Sequence, residues 1–113
     1  MTENATLDRY FAAWNAGDAD AIMDTLSAGV VLEDVPSGHL ARGADQARAF
    51  VEGALQKAPG AHYDVVSSHV SGDVFVVEWV MRPVGLRGAS VGSLRDGRIS
   101  ANRDYWNAGA APA

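Results

Sequence analysis

Residues 74–82 read V-F-V-V-E-W-V-M-R and form the most hydrophobic predicted strand of this 113-residue chain. The turn sequence Ser71-Gly72-Asp73 precedes this strand, and a second turn sequence, Arg95-Asp96-Gly97, follows further on. Around these turns the apolar residues recur with a period of two, which is typical of strands joined as hairpins. The other strands are predicted over residues 62–70, 86–94 and 99–107. The C-terminal half therefore predicts a run of four antiparallel strands.

Residues 1–60 show a helical period instead. A first amphipathic helix, ended by Gly17, is indicated by apolar residues spaced along one helix face, namely Leu7, Tyr10, Phe11 and Trp14. Asp18 can cap a second helix, which we expect to run to Gly29. Its inward-facing residues are Ile22, Met23 and Leu26. A short β-branched strand is predicted over residues 30–34, ending at the turn sequence V-P-S-G of residues 35–38.

A third helix is predicted to begin at residues 43–45 and to end at Ala58-Pro59-Gly60. Its buried stripe comprises Ala47, Phe50, Val51, Ala54 and Leu55. Helices followed by a run of antiparallel strands indicate an α+β fold, a cone in which a curved antiparallel or mixed sheet wraps over three N-terminal helices. We expect the third helix to cross the concave face, where a small-molecule cavity can form. Residues 1–113 are expected to form one domain, with a core over about 6–107 and a frayed tail at 108–113.

Composition excludes several classes of function. The net charge is −5 and no basic stripe exists, so nucleic acid is not an expected partner. The chain has no cysteine, which excludes disulfides and thiolate metal sites, and the three histidines lack metal-ligand spacing. No secretory signal and no long apolar span are visible, so we expect a cytoplasmic protein without membrane contact.

Tyr10 and Asp34 are the leading candidates for chemistry. A phenol can donate to a developing oxyanion, and a carboxylate at a strand end can take a proton from carbon. Each also has an ordinary structural interpretation, Tyr10 as a core tyrosine and Asp34 as a solvated turn carboxylate. Asp104 shares a strand face with Asn102 and Trp106 and is either an exposed edge residue or part of a cavity wall.

Glu78 interrupts the most apolar strand, so it must be paired or have a raised pKa. We expect Arg82 or Arg103 to pair with it, and an unpaired Glu78 would be an alternative general acid. His39, in the loop after Asp34, is expected near the cavity mouth. The expected cavity walls, which any core of this size would also need, are Trp14, Phe50, Trp79, Trp106, Phe75 and Met81. Bulges or bends are expected at Gly85, Gly88 and Gly92.

Two groups of segments resemble known families. Residues 9–18, R-Y-F-A-A-W-N-A-G-D, and 33–38, E-D-V-P-S-G, resemble ketosteroid isomerase. Residues 96–99, D-G-R-I, and 103–107, R-D-Y-W-N, are similar to SnoaL-like polyketide cyclases and limonene-epoxide-hydrolase-like proteins. These families share the nuclear-transport-factor-two-like superfamily, and the resemblance over residues 6–107 implies its cone-shaped fold.

The resemblance also implies roles. In ketosteroid isomerase the residue matching Tyr10 is the oxyanion-hole phenol and the one matching Asp34 is the base, but the second acid of that oxyanion hole falls near Ser90 in this chain. In SnoaL-like cyclases the residue matching Asp104 is the proposed acid–base group. The epoxide hydrolases need an Arg and an Asp on the central strand, which this chain lacks there.

Residues and resemblance together predict a small cofactor-independent acid–base enzyme of the isomerase or cyclase type, acting on a hydrophobic carbonyl compound. The predicted catalytic residues are Asp34, Tyr10 and Asp104. The predicted substrate-binding residues are Trp14, Phe50, Trp79, Trp106, Glu78, Ser90 and His39. No metal or cofactor is expected, and we expect a homodimer formed through the outer sheet face. The alternative is a non-catalytic module that binds a small hydrophobic ligand in the same cavity.

Overall fold

A computed structural model describes residues 5–107 and Gly109. The predicted frayed tail therefore lies outside the described residues, except for Gly109. The helices are α1 (Ala5–Ala16), α2 (Ala19–Asp24) and α3 (Gly43–Lys57). The strands are β1 (Leu26–Asp34), β2 (His39–Arg42), β3 (His62–Ser71), β4 (Val74–Arg82), β5 (Leu86–Arg95) and β6 (Arg98–Trp106).

The strands form one curved, unclosed six-stranded sheet in the order β2-β1-β6-β5-β4-β3. The four predicted C-terminal strands are antiparallel neighbours, as the hairpin pattern indicates. β1 pairs with β6 in parallel, so the sheet is mixed. The α+β fold class, with N-terminal helices on a curved sheet, is confirmed.

The second helix is shorter than predicted. Asp18 caps it as expected, because its Oδ1 accepts a hydrogen bond from the Ala21 amide at 3.0 Å. The helix ends at Asp24 and not at Gly29, because the next residues pair with the last strand. The amide of Ile99 donates to the carbonyl of Thr25 at 2.8 Å, and Leu26 lies opposite Ile99. The segment after Asp24 thus pairs with β6, although its sequence pattern predicts a helix.

The strand β2 is absent from the sequence prediction. It has only four residues, of which Ala41 alone is buried, so it is too short to show a period. It forms an edge of the sheet by pairing with β1 across the tight turn after Asp34. This turn reverses the chain next to Asp34 and brings His39 directly opposite it.

The helices pack over the two ends of the sheet. α3 lies mainly against β1 and β2 at one end, and α1 lies against β3 at the other. The central strands direct alternate residues inward, as Phe75, Val77 and Trp79 of β4 show. The third helix therefore covers one end of the sheet, and the inner faces of the middle strands remain available to form a cavity wall.

Two glycines of β5 have a packing role in place of the predicted bulges. The pairing of β4 with β5 is regular from Val74 to Met81, so neither Gly88 nor Gly92 marks a bulge in it. A Cβ atom at Gly88 would overlap the indole ring of Trp79. A Cβ atom at Gly92 would overlap the Ala101 carbonyl and the Phe75 ring. These glycines give the large rings of β4 room to lie against the sheet.

Candidate functional site

A cavity of about 750 Å³ lies between α1, α3 and the inner face of the sheet. This volume suits a small-molecule ligand. Aromatic rings form much of its wall: Tyr10, Phe11, Trp14, Phe50, Tyr63, Trp79 and Trp106. All the predicted catalytic and substrate-binding residues except Glu78 lie on this cavity, including Asp34, His39, Ser90 and Asp104. Phe75, an expected wall residue, is buried in the core and does not line it.

Strand alternation brings Asp34 and Asp104 to the cavity. On β1, Asp34 follows the buried Val30 and Leu32 at two-residue intervals, so all three side chains point inward. In the parallel pairing of β1 with β6, Asp34 lies opposite Asp104. The two carboxyl groups therefore occupy neighbouring positions on adjacent strands, where the charge of Asp34 raises the pKa of Asp104.

Asp34 has an aromatic hydrogen-bond donor. The indole Nε1 of Trp106 donates to Asp34 Oδ1 at 2.6 Å. Trp106 lies two residues beyond Asp104 on the same face of β6, so one strand supplies both the neighbouring carboxyl group and the donor. A hydrogen bond of this kind fixes the orientation of the carboxylate and leaves Oδ2 as its other acceptor.

Asp104 is held by two donors on one oxygen. Its Oδ1 accepts from Ser90 Oγ at 2.7 Å and from Asn102 Nδ2 at 2.9 Å. Burial raises the pKa of Asp104 above its ordinary value, and the charge of Asp34 raises it further, while the donors Ser90 and Asn102 act in the opposite direction. Because burial is the largest of these causes, the neutral carboxylic acid is favoured relative to an exposed aspartate.

Ser90 connects Asp104 to the cavity wall. The indole Nε1 of Trp79 donates to Ser90 Oγ at 2.9 Å, and the same hydroxyl donates to Asp104. Ser90 is directly opposite Asp104 in the pairing of β5 with β6. The resemblance to ketosteroid isomerase implies a second acid near Ser90. In this chain Ser90 instead orients Asp104, an acid on the neighbouring strand.

Two phenols share the cavity with the carboxylates. Burial raises the pKa of Tyr10, and the charge of Asp104 raises it further. Burial raises the pKa of Tyr63 to about 12, with smaller contributions from the charges of Asp104 and Asp34. Both hydroxyls therefore stay protonated near neutral pH and can act as hydrogen-bond donors.

Tyr63 is a cavity residue that the sequence reasoning missed. Its signal was weak, because it is a lone aromatic residue in the polar strand β3. The side chain of Asn15 anchors it from α1, accepting from the Tyr63 amide at 2.7 Å and donating to the Tyr63 carbonyl at 3.1 Å. Its ring packs edge-on against Trp79, with 5.1 Å between ring centroids.

Glu78 does not line the cavity, and it pairs with an arginine of a neighbouring strand as expected, although the predicted arginines were wrong. It lies between the inward-facing Val77 and Trp79, so the strand turns it to the outer face. Its carboxylate accepts from Arg87 Nη2 at 3.4 Å, and neither Arg82 nor Arg103 pairs with it within the described residues. The arginine comes from β5, whose register with β4 the sequence did not supply.

The cavity has little positive charge of its own. Among the described lining residues, the groups that can carry it are Lys57 and His39, and both are exposed. The His39 ring lies against Phe50, with 5.1 Å between ring centroids. Within residues 5–107 and Gly109, no group of three or more His, Cys, Asp or Glu side chains could hold a metal ion. In the same residues, no helix has the length and apolar character needed to cross a bilayer.

This fold and cavity define a small α+β domain of the nuclear-transport-factor-two-like superfamily. Residues 7–102 match the family model of the SnoaL-like domain, and the chain belongs to this family. The resemblance inferred from the sequence is thereby confirmed. No curated protein matches the chain.

Solved structures with the same fold come from several bacteria. A proposed polyketide cyclase from Sinorhizobium meliloti is 22% identical, with a TM-score of 0.79 over 88% of this chain and 93% of that one. A hypothetical protein with a ketosteroid isomerase-like fold from Catenulispora acidiphila, in complex with trimethylamine, is 18% identical, with a TM-score of 0.86 over 95% and 88%. A SnoaL-like protein of unknown function from Burkholderia thailandensis is 20% identical, with a TM-score of 0.80 over 95% and 98%. At these identities the likeness concerns the fold alone.

Proposed function

We propose that the protein is a small cofactor-independent acid–base enzyme, of the isomerase or cyclase type, that acts on a hydrophobic carbonyl compound of steroid-like or polyketide-like character. The observation that carries this proposal is the placement of Asp34 opposite Asp104 in an aromatic cavity. Two carboxyl groups in different environments can have different catalytic roles, one as base and the other as proton donor.

Asp34 is the proposed base. Its carboxylate would remove a proton from the carbon next to the substrate carbonyl, and for an isomerase it would return that proton at a second carbon. The hydrogen bond from Trp106, at 2.6 Å, supports this role because it holds the carboxylate in one orientation within the cavity.

Tyr10 and Asp104 are the proposed donors to the substrate oxygen. Negative charge develops on the carbonyl oxygen as the proton leaves carbon, and protonated donors in a dry cavity stabilise that charge. The raised pKa of Tyr10 and of Asp104, caused mainly by burial, supports the protonated state of both groups. Asp104 would thus supply the acid that the resemblance to ketosteroid isomerase leaves missing near Ser90.

The test is exchange of the α protons of hydrophobic ketones for deuterium, followed by NMR. Steroid-like and polyketide-like ketones form the panel, and the variant is Asp34→Asn. We expect its exchange rate to fall by roughly 10²-fold or more, the usual contribution of a general base. Glu78→Gln is the matched control, because Glu78 lies outside the cavity. An Asp34→Asn variant with the wild-type exchange rate would remove Asp34 from the chemistry.

The second candidate is a non-catalytic module that binds a small ligand. It is favoured by one observation, that Asp34 and Asp104 already accept hydrogen bonds from protein donors, as carboxylates that only orient a ligand also do. The Catenulispora acidiphila protein forms a complex with trimethylamine, which gives this candidate a precedent within the fold. Saturable ligand binding without α-proton exchange on any ketone of the panel would favour the module.

We also propose that the protein forms a homodimer through the outer face of the sheet. Val74, Val76 and Tyr105 are exposed apolar residues that alternate with inward-facing neighbours on β4 and β6. Burying such residues against a second copy would remove apolar surface from water. Sedimentation equilibrium tests the proposal, and a mass of 11.9 kDa at all concentrations would contradict it.

A further inference from the structure

The cavity combines two carboxyl groups with a wall of aromatic rings, and no Lys, Arg or His among the described residues forms a salt bridge with either carboxyl group. Asp34 and Asp104 accept hydrogen bonds only from neutral groups among the described residues, which are an indole, a hydroxyl and an amide. We propose that the ligand of this cavity carries an organic cation, an ammonium nitrogen on an apolar body, which binds against Asp34 and Asp104.

The ion pairs elsewhere in the protein sharpen this contrast. Every salt bridge between described residues lies outside the cavity and joins side chains that are substantially exposed, with Arg48, His62, Arg82 and Arg87 as the cationic partners. Neither Asp34 nor Asp104 is among the carboxyl groups that these salt bridges contain. An ionised carboxylate removed from water is costly unless a positive charge accompanies it, so a cationic ligand would favour the ionised form of Asp104 over the neutral form that burial favours in its absence.

The aromatic wall favours the same class of ligand. The face of an aromatic ring is negative and attracts ammonium groups, most strongly for tryptophan. Tyr63 stands at 90° to Trp79 and at 72° to Trp14, so the wall presents rings in more than one orientation. The Trp106 ring is joined through its N–H edge to Asp34, which places an aromatic surface and a carboxylate side by side. A methylated ammonium group can use both.

This inference uses the same cavity and rests on the second candidate of the proposed function, the ligand-binding module, because a cation held against Asp34 and Asp104 would occupy the groups that the enzyme would use as base and acid. The ligand of this module would be a tertiary or quaternary amine with a hydrophobic body. A purely neutral ligand would fill the apolar volume but would leave the carboxyl pair without a counter-charge. The ammonium group of the ligand would contact the carboxyl pair, and its apolar body would contact the rest of the cavity wall.

The inference predicts a dependence of cation affinity on pH. Titratable and charged groups that line the cavity with Asp104 are Asp34 from β1, Tyr10 from α1, Tyr63 from β3, His39 from β2 and Lys57 from α3. Burial raises the pKa of Asp104, so near and below that pKa the carboxyl group is partly or wholly neutral. A permanent cation binds the ionised form better, so its affinity is expected to rise with pH and its binding to release a proton.

The experiment compares two probes of the same shape, phenyltrimethylammonium and its neutral isostere tert-butylbenzene. Trp14, Trp79 and Trp106 are the three tryptophans of the chain and all line the cavity, so tryptophan fluorescence reports binding of either probe. In Asp34→Asn/Asp104→Asn we expect the affinity for the cation to fall about tenfold or more, since two attractive charges are removed. The affinity for tert-butylbenzene should change less than about twofold because its contacts are apolar.

Glu78→Gln is the control and should leave both affinities unchanged, because its carboxylate lies on the outer face. The single variant Asp34→Asn and the pH dependence of the unaltered protein replace the double variant if that variant does not fold. The inference is overturned if wild type binds no cation saturably, or if both probes lose affinity in parallel.

The two proposals can fail separately. One outcome is ketone exchange that depends on Asp34, together with no selective loss of affinity for the cation in the double variant. This outcome would overturn only the proposal of a cationic ligand. Cation binding that depends on the carboxyl pair, together with no ketone exchange, would overturn the acid–base enzyme and support the binding module.

Discussion

Gly88→Ala tests whether the packing of the cavity wall requires a glycine, which has no side chain, at residue 88. Gly88 lies on β5 between Trp79 of β4 and Trp106 of β6, which are its partners in the sheet register. An added Cβ would overlap three atoms at the far end of the Trp79 ring, so the indole must move. Because Trp79 is 5% exposed and packs edge-on against Tyr63, we expect a loss of about 1–3 kcal/mol in the free energy of unfolding, the usual cost of overpacking.

The same change should reach Asp104. If the Trp79 ring moves, its Nε1 can no longer keep the 2.9 Å hydrogen bond to Ser90, and Ser90 loses part of what orients its own donation to Asp104. Urea unfolding gives the free energy, and near-ultraviolet circular dichroism gives the environment of the indole. We expect a melting temperature lower by roughly 4 °C for each kcal/mol lost.

A double-mutant cycle isolates the overlap. Trp79→Leu removes the ring atoms that the Cβ would meet, so Gly88→Ala should cost little in that background and the coupling should be about 1–3 kcal/mol. Gly29→Ala on β1 is the matched control, because a Cβ there meets nothing within 4 Å. Equal effects of Gly88→Ala and Gly29→Ala, or an additive cycle, would refute the packing argument.

Two further changes concern the carboxyl pair. Burial raises the pKa of Asp104 in the folded state, so the contribution of this group to stability is complete at low pH and is lost as pH rises through the folded pKa. The variant Asp104→Asn should therefore raise the urea midpoint at pH 8 and leave it nearly unchanged at pH 4. A lower midpoint at pH 8 would contradict this. Trp106→Phe removes the donor to Asp34, and the freed carboxylate should slow ketone exchange roughly tenfold, a result that an unchanged rate would exclude.

Sequence patterns predicted the elements whose order is local and missed the contacts between distant strands. The hairpin turns and the period of two predicted β3 to β6 to within a residue or two at each end, because these strands pair with their sequence neighbours. The end of α2 was wrong because β6, from the other end of the chain, pairs with residues that otherwise fit a helix. Propensity gives way to tertiary pairing at such places.

The candidate site shows the same division. Asp34 was predicted from its place at a strand end and Asp104 from alternation along its strand, but only the parallel register of β1 and β6 makes them neighbours. Tyr63 escaped notice because its position depends on Asn15 of α1, a contact without a sequence signature. Glu78 was predicted as a substrate-binding residue because it lies in an apolar run of sequence. In the structure its side chain lies on the outer face of the strand and pairs with Arg87.

The parallel pairing of β1 with β6 also has a consequence for the synthesis of the chain. A ribosome completes the segment with Asp34 well before the segment with Asp104 and Trp106, so a nascent chain at first holds half of the carboxyl pair without its indole donor. The edge of β1 that later receives β6 stays open during that interval. The proposed acid–base chemistry, or the proposed ligand binding, therefore requires β6 to have left the exit tunnel.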